Sequence, residues 1–155
     1  MPDGETAGLF QLRTDAAKDS IGLTWATGRF PMTATVKLSD AQQRRYSQLA
    51  LLTATSTGPA TLKLRFEYET GSPDEAKIKV FDWSSNTPPA NSHPIVDAPV
   101  PNSPTPRHMY LDLIPVDARR RLTAITLTWL TAGTEHPQHC VGIFAISGLP
   151  ADQLH

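Results

Sequence analysis

The strongest constraint on the fold is an unbroken alternation of apolar and charged residues at 62–69. A period of two places successive side chains on opposite faces of a strand, so one face meets a core and the other meets water. Gly58 and Pro59 precede the segment and residues 71–74 follow it, and both are turn signals. Because residues 77–81 alternate again, the two segments are predicted to form an antiparallel hairpin.

Further segments have strand patterns at the spacing of a two-sheet sandwich. Residues 46–54 and 140–146 are almost wholly apolar, which is typical of interior strands. Residues 122–130 alternate between large apolar side chains and threonines, and this pattern assigns Trp129 to the core. The remaining candidate strands are residues 9–13, 21–25, 33–38 and 108–114. The chain is therefore predicted to be all-β, a single antiparallel β-sandwich domain over residues 1–155.

Half of the chain's 14 prolines lie between Pro88 and Pro106. Proline lacks the amide donor that a sheet needs and favours an extended, solvated backbone. Residues 88–106 are therefore predicted to form a long surface loop and not a strand. Long ordered loops on a β scaffold often carry function. Two interpretations stay open, a functional loop and an insertion with no specific role.

The charge pattern argues against nucleic acid as a partner. The net charge is −1, and acids and bases are interspersed along the chain. The one basic cluster, residues 119–121, lies beside a turn signal and is interpreted as solvated. No segment approaches the ~20 apolar residues of a membrane span. Residues 1–5 are polar and unlike a signal peptide, so the chain is expected to be extracellular if excised from a secreted hydrolase and cytoplasmic otherwise.

Motifs for catalysis are weak. Ser147 lacks the leading glycine of a nucleophile elbow, and Cys140 lies in an apolar strand, where a thiol is usually inert. His136 and His139 have a spacing seen in zinc sites, but no second pair of ligands accompanies them. The chain is predicted not to be an enzyme. A small jelly-roll enzyme stays an alternative, and a histidine and a carboxylate in one pocket would support it.

Aromatic and polar residues around the proline-rich segment fit ligand binding better. A sugar stacks its apolar face on an aromatic ring, while a few placed polar groups fix its orientation. A tryptophan at such a position can also anchor a loop, and that interpretation stays open. The predicted ligand-binding residues are Asp82, Trp83, Asn86, Arg107, Tyr110 and Asp112.

Four segments in order resemble the galactose-binding-like jelly-roll modules that are attached to glycoside hydrolases. They are residues 46–54, residues 62–69 with 80–83 after a turn, residues 110–117 leading to 122–127, and residues 141–149. Together they lie within roughly residues 33–150, although the usual glycine turn after Tyr68 is altered to Glu69-Thr70-Gly71. In such modules the Asp-Trp corner, here Asp82 and Trp83, is at least partly structural.

The resemblance implies a jelly roll with its ligand at a loop-lined end. It implies a non-catalytic carbohydrate-binding or accessory module whose partner is a glycan. The alternative is an interaction or structural module that packs on a neighbouring catalytic domain or subunit. It also implies that a calcium ion could brace the fold, to which Asp15, Asp19 and Asp40 could contribute oxygen ligands.

Overall fold

The computed structural model describes residues 21–24, 32–56, 58–84, 93–98, 107–130 and 140–153. These residues contain nine strands and one turn of 3-10 helix, Ala151–Gln153. The strands are β1 Ile21–Thr24, β2 Thr33–Lys37, β3 Tyr46–Thr55, β4 Ala60–Tyr68, β5 Asp74–Val80, β6 His93–Ala98, β7 Arg107–Pro115, β8 Leu122–Trp129 and β9 Cys140–Pro150. In the described part of the chain, no helix is long and apolar enough to cross a membrane.

The strands form two antiparallel sheets, which confirms the predicted all-β, sandwich-like architecture. One sheet has five strands in the order β1-β9-β3-β7-β6, and the other has four in the order β2-β8-β4-β5. The predicted hairpin is β4 paired with β5, and it turns at Gly71 with φ +85°. A positive φ is costly for residues with a Cβ, so the glycine makes this tight turn possible.

The core lies between the sheets and follows the alternation in the sequence. In β4 five apolar side chains are buried, from Ala60 to Tyr68 at every second position, while Lys63, Arg65 and Glu67 lie on the opposite face. The strand β8 pairs with β4 in register and buries Ile125, Leu127 and Trp129 on the same side. The assignment of Trp129 to the core is confirmed, because only 1% of the residue is exposed.

The proline-rich segment departs from the predicted loop. Residues His93–Ala98 form β6, which pairs with β7 at the edge of the five-stranded sheet. Pro94 lies within this strand, and the pairing shifts register between Pro94 and Val96. An edge strand tolerates proline, because only one side of the strand needs a partner. The rest of the predicted loop, and the candidate strand at 9–13, lie outside the described residues.

The predicted turn at the basic cluster carries a network that joins two connections. The Arg120 guanidinium binds the carboxylates of Asp117 and Asp74 and lies 3.9 Å from the centroid of the Tyr68 ring. Hydrogen bonds from Arg119 and Arg120 hold the pKa of the Asp117 carboxyl well below its usual range. Arg119 is exposed, as a solvated turn implies, whereas Arg120 connects the β4–β5 turn to the β7–β8 turn.

Candidate functional site

Asp82 is the centre of a corner at one end of the sandwich. Its carboxylate accepts hydrogen bonds from the Gly58 amide and from the amide and hydroxyl of Ser84. Burial raises the pKa of Asp82, but these hydrogen bonds and the nearby Arg107 charge outweigh it, so the net pKa is lowered. Because backbone and hydroxyl donors already engage both carboxylate oxygens, Asp82 shapes the corner more than it presents a free acid.

Backbone hydrogen bonds clamp the same corner between β3 and β7. The Thr55 amide donates to Phe81 O over 2.9 Å, and the Trp83 amide donates to Thr55 O over 3.0 Å. The Trp83 carbonyl in turn accepts from the His108 amide at 2.7 Å. Phe81 and Trp83, the two neighbours of Asp82, are thus held by the end of β3 and the start of β7, so the backbone position of Trp83 is well defined.

Trp83 itself is 42% exposed. The Arg107 guanidinium carbon lies 4.9 Å from the centroid of the Trp83 ring. A cation over a tryptophan face is attracted by the ring quadrupole, and the contact also holds the ring and the guanidinium donors side by side. The structure therefore brings Asp82, Trp83 and Arg107 together, as the hypothesis of a binding site requires.

Tyr110 has a different role from the one predicted. Only 1% of the residue is exposed, and its hydroxyl donates to Asp82 O over 3.1 Å. Its ring is tilted against Phe81 at a centroid distance of 5.9 Å. A ring enclosed in this way cannot act as a stacking platform, so the expectation of a ligand contact is corrected. Tyr110 anchors the corner from the inside.

Asp112 lies two residues further along β7 and shares the inward side of the strand with Tyr110 and Ile114. Desolvation raises the pKa of this half-buried carboxyl to about 6, and a 3.5 Å hydrogen bond from the Thr53 hydroxyl offsets only part of that shift. Asp112 is therefore separate from the exposed Trp83–Arg107 pair, and its carboxylate is costly to ionise.

The Asp112→Asn variant is expected to be more stable than the wild type at neutral pH. The pKa rises on folding, so the carboxyl contributes nothing unfavourable below about pH 4, and the penalty grows as the pH rises from about 4 to 6 and is fully present above 6. A rise from 3.8 to about 6 corresponds to about 3 kcal/mol, which solvent access reduces to about 1–2 kcal/mol.

Urea unfolding of both proteins at pH 4 and pH 7.5 measures this difference. We expect nearly equal free energies of unfolding at pH 4 and an advantage of about 1–2 kcal/mol for the asparagine variant at pH 7.5. An advantage of equal size at both values would show that the penalty does not come from ionisation. Thr53→Val, which removes the hydroxyl donor, is expected to enlarge the penalty in the wild-type background.

The remaining predicted residues fall outside the described chain or stand alone. Asn86, Asp15 and Asp19 are not among the described residues, and neither are His136 and His139. Asp40 is described and lies exposed in the turn after β2. Within the described ranges no three His, Cys, Asp or Glu side chains form a group that could hold a metal ion. Calcium binding by Asp15, Asp19 and Asp40 stays a prediction, because two of these three residues lie outside the described chain.

The residues of the β3–β4 connection that contact Asp82 were not predicted from the sequence. Gly58 has φ +80° and donates its amide to Asp82, while its carbonyl accepts from the buried Thr55 hydroxyl. The Gly58-Pro59 pair predicted a turn here, but nothing in the sequence indicates that the turn faces Asp82, 24 residues later. Ser84, two residues after Asp82, fits the common Asp-x-Ser turn chemistry and was the available signal.

Comparison with known proteins does not assign a family or a function to this site. No model of a known protein family matches the chain, and no curated protein matches its sequence. The functional argument therefore depends on the described residues themselves.

Proposed function

We propose that the protein is a non-catalytic carbohydrate-binding module that binds glycan at the Trp83 end of the sandwich. The observation that carries the proposal is the exposed Trp83 ring, which is paired with Arg107 and attached to a backbone position held by hydrogen bonds. A rigid exposed aromatic ring offers large contact area at low entropic cost. The adjacent guanidinium supplies hydrogen-bond donors for sugar hydroxyls.

The order of the strands supports a jelly roll of the galactose-binding-like type as the scaffold. Sequentially distant strands are neighbours, since β9 lies between β1 and β3 while β8 lies between β2 and β4. Two interlocked Greek keys generate this kind of nesting, and they define a jelly roll. In this proposal β6 is an addition at the sheet edge beside β7.

The position of the site also supports glycan binding. The strand ends at Thr55, Val80 and Arg107 meet around the Asp82 corner. Loops at the end of a rigid β scaffold are common places for binding residues. Neutral sugars suit a site in which the acid among the described residues, Asp82, is already hydrogen-bonded and the Arg107 cation lies against an aromatic ring.

The Trp83→Ala variant is expected to lose at least about tenfold in affinity for any glycan that the wild type binds, equal to about 1.4 kcal/mol. The ring supplies the stacking surface, and its removal also frees Arg107. The experiment is an array of neutral oligosaccharides based on galactose, glucose, xylose and mannose, followed by calorimetry on the best binders. Trp83→Phe, which keeps a ring, is expected to retain part of the affinity.

Lys77→Ala is the surface control, because Lys77 is exposed on the outer face of β5. The glycan affinity of this variant should match that of the wild type. Circular dichroism of each variant checks folding. A folded wild-type protein that binds none of the array would contradict the proposed function. Equal glycan affinities of the wild type and the Trp83→Ala variant would show that the binding site lies away from this corner.

A specific observation favours a second candidate function, an interaction module. Leu113 is 51% exposed and Phe144 is 40% exposed, and both lie on the outer side of the five-stranded sheet. Large exposed apolar patches on soluble proteins mark surfaces for other macromolecules. This surface is separate from the Trp83 corner, so the two functions are compatible in one molecule.

A further inference from the structure

The lysines of the chain are concentrated on one surface, the outer side of the four-stranded sheet. The sequence has five lysines, and four of them lie there, at positions that alternate with core residues. They are Lys37 in β2, Lys63 in β4, and Lys77 and Lys79 in β5. Arg65 lies on the same side of β4. We call the outward side of β2, β8, β4 and β5 the lysine face.

The lysine face is positively charged, although the chain as a whole is not. It carries five cations and two carboxylates, a net charge of +3, whereas the net charge of the chain is −1. Both carboxylates are already paired, Glu75 with Lys63 at 3.1 Å and Glu67 with Arg65 at 2.6 Å. The other three cations have no carboxylate partner among the described residues, so the face presents unneutralised charge to solvent.

The pairing of β4 with β5 brings like charges together on this face. Lys63 and Lys77 are directly opposite in the register, and side chains at such positions have Cβ atoms about 5 Å apart. Lys79 follows Lys77 by two residues on the same side of the strand, ~7 Å further along. Like charges at these positions repel each other, and Glu75 neutralises only Lys63. A partner that brings negative charge to the hairpin would relieve this repulsion.

The other half of the lysine face supplies hydroxyl groups. Across β2 and β8, Thr33 pairs with Thr128 and Thr35 pairs with Thr126, with hydroxyl oxygens 3.3 and 3.0 Å apart. Each pair uses one hydroxyl proton, so one hydroxyl of the pair keeps its donor and both keep acceptor capacity. The register continues from Thr128 to Lys63 in β4, which places hydroxyls and cations in the same row. This arrangement can bind hydroxyl and acidic groups of one polymer.

We propose that the lysine face binds an acidic polysaccharide, a glycan whose sugar units carry carboxylate or sulfate groups. The lysine ammonium groups pair with the acidic groups, and the threonine hydroxyls form hydrogen bonds with the sugar hydroxyls. The cations are spread over three strands of an extended sheet, which suits a polymer with repeated charges better than a single small anion. This surface includes neither Trp83 nor Arg107, so its function does not depend on neutral-glycan binding at the Trp83 corner.

The uncharged residues of the lysine face favour an acidic polysaccharide over other polyanions. On the outward side of the four strands, all of whose residues are described, these residues are threonines and Ala124. A threonine hydroxyl suits a sugar hydroxyl. Single-stranded nucleic acids are held by aromatic rings on which bases stack, and membrane surfaces are bound by apolar side chains that enter the lipid headgroup region. The mixture of ammonium and hydroxyl groups therefore matches a polymer that is both acidic and rich in hydroxyls.

Calorimetry with dextran sulfate and with uncharged dextran tests the proposal, because the two polymers share a sugar backbone and differ in charge. Polygalacturonate provides a carboxylate polymer. At pH 7 the net charge of the chain is −1, so attraction to a polyanion reports on a local surface. We expect the wild type to bind both acidic polymers with a Kd of about 100 µM or tighter in low salt, and not to bind dextran. Raising the salt from about 50 to about 300 mM should weaken binding at least about tenfold.

The double variant Lys77→Gln with Lys79→Gln is expected to weaken binding to dextran sulfate at least about tenfold, because each lysine near an anionic surface contributes roughly fivefold. Both residues are exposed, and circular dichroism checks that the variant is folded. The matched control is Arg44→Gln with Arg45→Gln. It also removes two exposed cations, but from the turn before β3 in the other sheet, and it should bind within about twofold of the wild type.

Three results would overturn the proposal. A folded wild type that binds neither acidic polymer at about 100 µM has no such site. Equal losses in the two double variants would show that binding follows net charge and not the lysine face. Tighter binding to a short DNA duplex, or to vesicles of equal parts phosphatidylcholine and phosphatidylserine, would assign the face to that class of partner. Trp83→Ala should bind dextran sulfate as the wild type does, so failure at either surface is measured separately from failure at the other.

Discussion

Replacing Leu127 by alanine is expected to lower the free energy of unfolding by about 3 kcal/mol, within the 2–5 kcal/mol typical of buried leucines. Leu127 is fully buried in β8, which lies between β2 and β4 in the four-stranded sheet. Its side chain packs in the core between the two sheets. Truncation removes buried apolar surface and leaves a cavity that rigid strands on both sides cannot close.

Thr126→Ala is the matched control, since Thr126 is the preceding residue on the opposite face of β8. Its hydroxyl contacts the Thr35 hydroxyl at 3.0 Å on the solvent side. We expect a loss under about 1 kcal/mol for this variant. Urea unfolding at pH 7, with the same m-value for each protein, provides the comparison. Similar losses for Leu127→Ala and Thr126→Ala would contradict the two-faced arrangement of the strand.

The alternation in the sequence was sufficient to predict most of the strands. A period of two is a local property, so β4 and β8 follow from their own residues, and the Gly71 turn follows from the local signal. The strand β6 was not predictable in this way. Its proline is tolerated because β6 is at an edge, and edge position is a property of the assembled sheet.

The faces of β7 were harder to predict, because both sides of this strand carry apolar residues. The apolar side chains at Met109, Leu111 and Leu113 alternate, but Tyr110 and Ile114 are the buried ones. Alternation defines two faces and does not identify which of them meets the core. The pairing of Thr53 with Tyr110 determines which face of β7 is buried. This pairing joins β7 to a strand more than fifty residues earlier in the chain.

The structure brings together three of the six predicted ligand-binding residues, and the role of each could not be predicted from the sequence. Asp82, Trp83 and Arg107 do lie together, as their positions around the proline-rich segment indicated. Their separate roles depend on partners distant in sequence, such as Gly58 for Asp82. Exposure of Trp83 and burial of Tyr110 likewise follow from how β3, β5 and β7 converge at one end, which no local pattern encodes.

The Tyr110→Ala variant is expected to lose about 3–5 kcal/mol of stability, as for other buried aromatic side chains. The ring is enclosed against Phe81, and the hydroxyl fixes the Asp82 carbonyl at 3.1 Å. Removing the side chain leaves a cavity beneath the corner and deprives the Asp82 carbonyl of the hydrogen bond from the Tyr110 hydroxyl. Unfolding in urea measures the loss, and Leu127→Ala provides a benchmark for a core truncation remote from the corner.

Tyr110→Phe separates an anchor from a ligand contact. It keeps the ring and removes only the hydroxyl, so the expected cost in stability is about 1 kcal/mol. Because the hydroxyl points to Asp82 O and the residue is 1% exposed, the affinity for any glycan bound by the wild type should change less than about twofold. Calorimetry with that glycan tests this expectation. A tenfold loss of affinity at unchanged stability would show that Tyr110 contacts the ligand. A loss of stability with full affinity would identify Tyr110 as an internal support of the Asp82 corner.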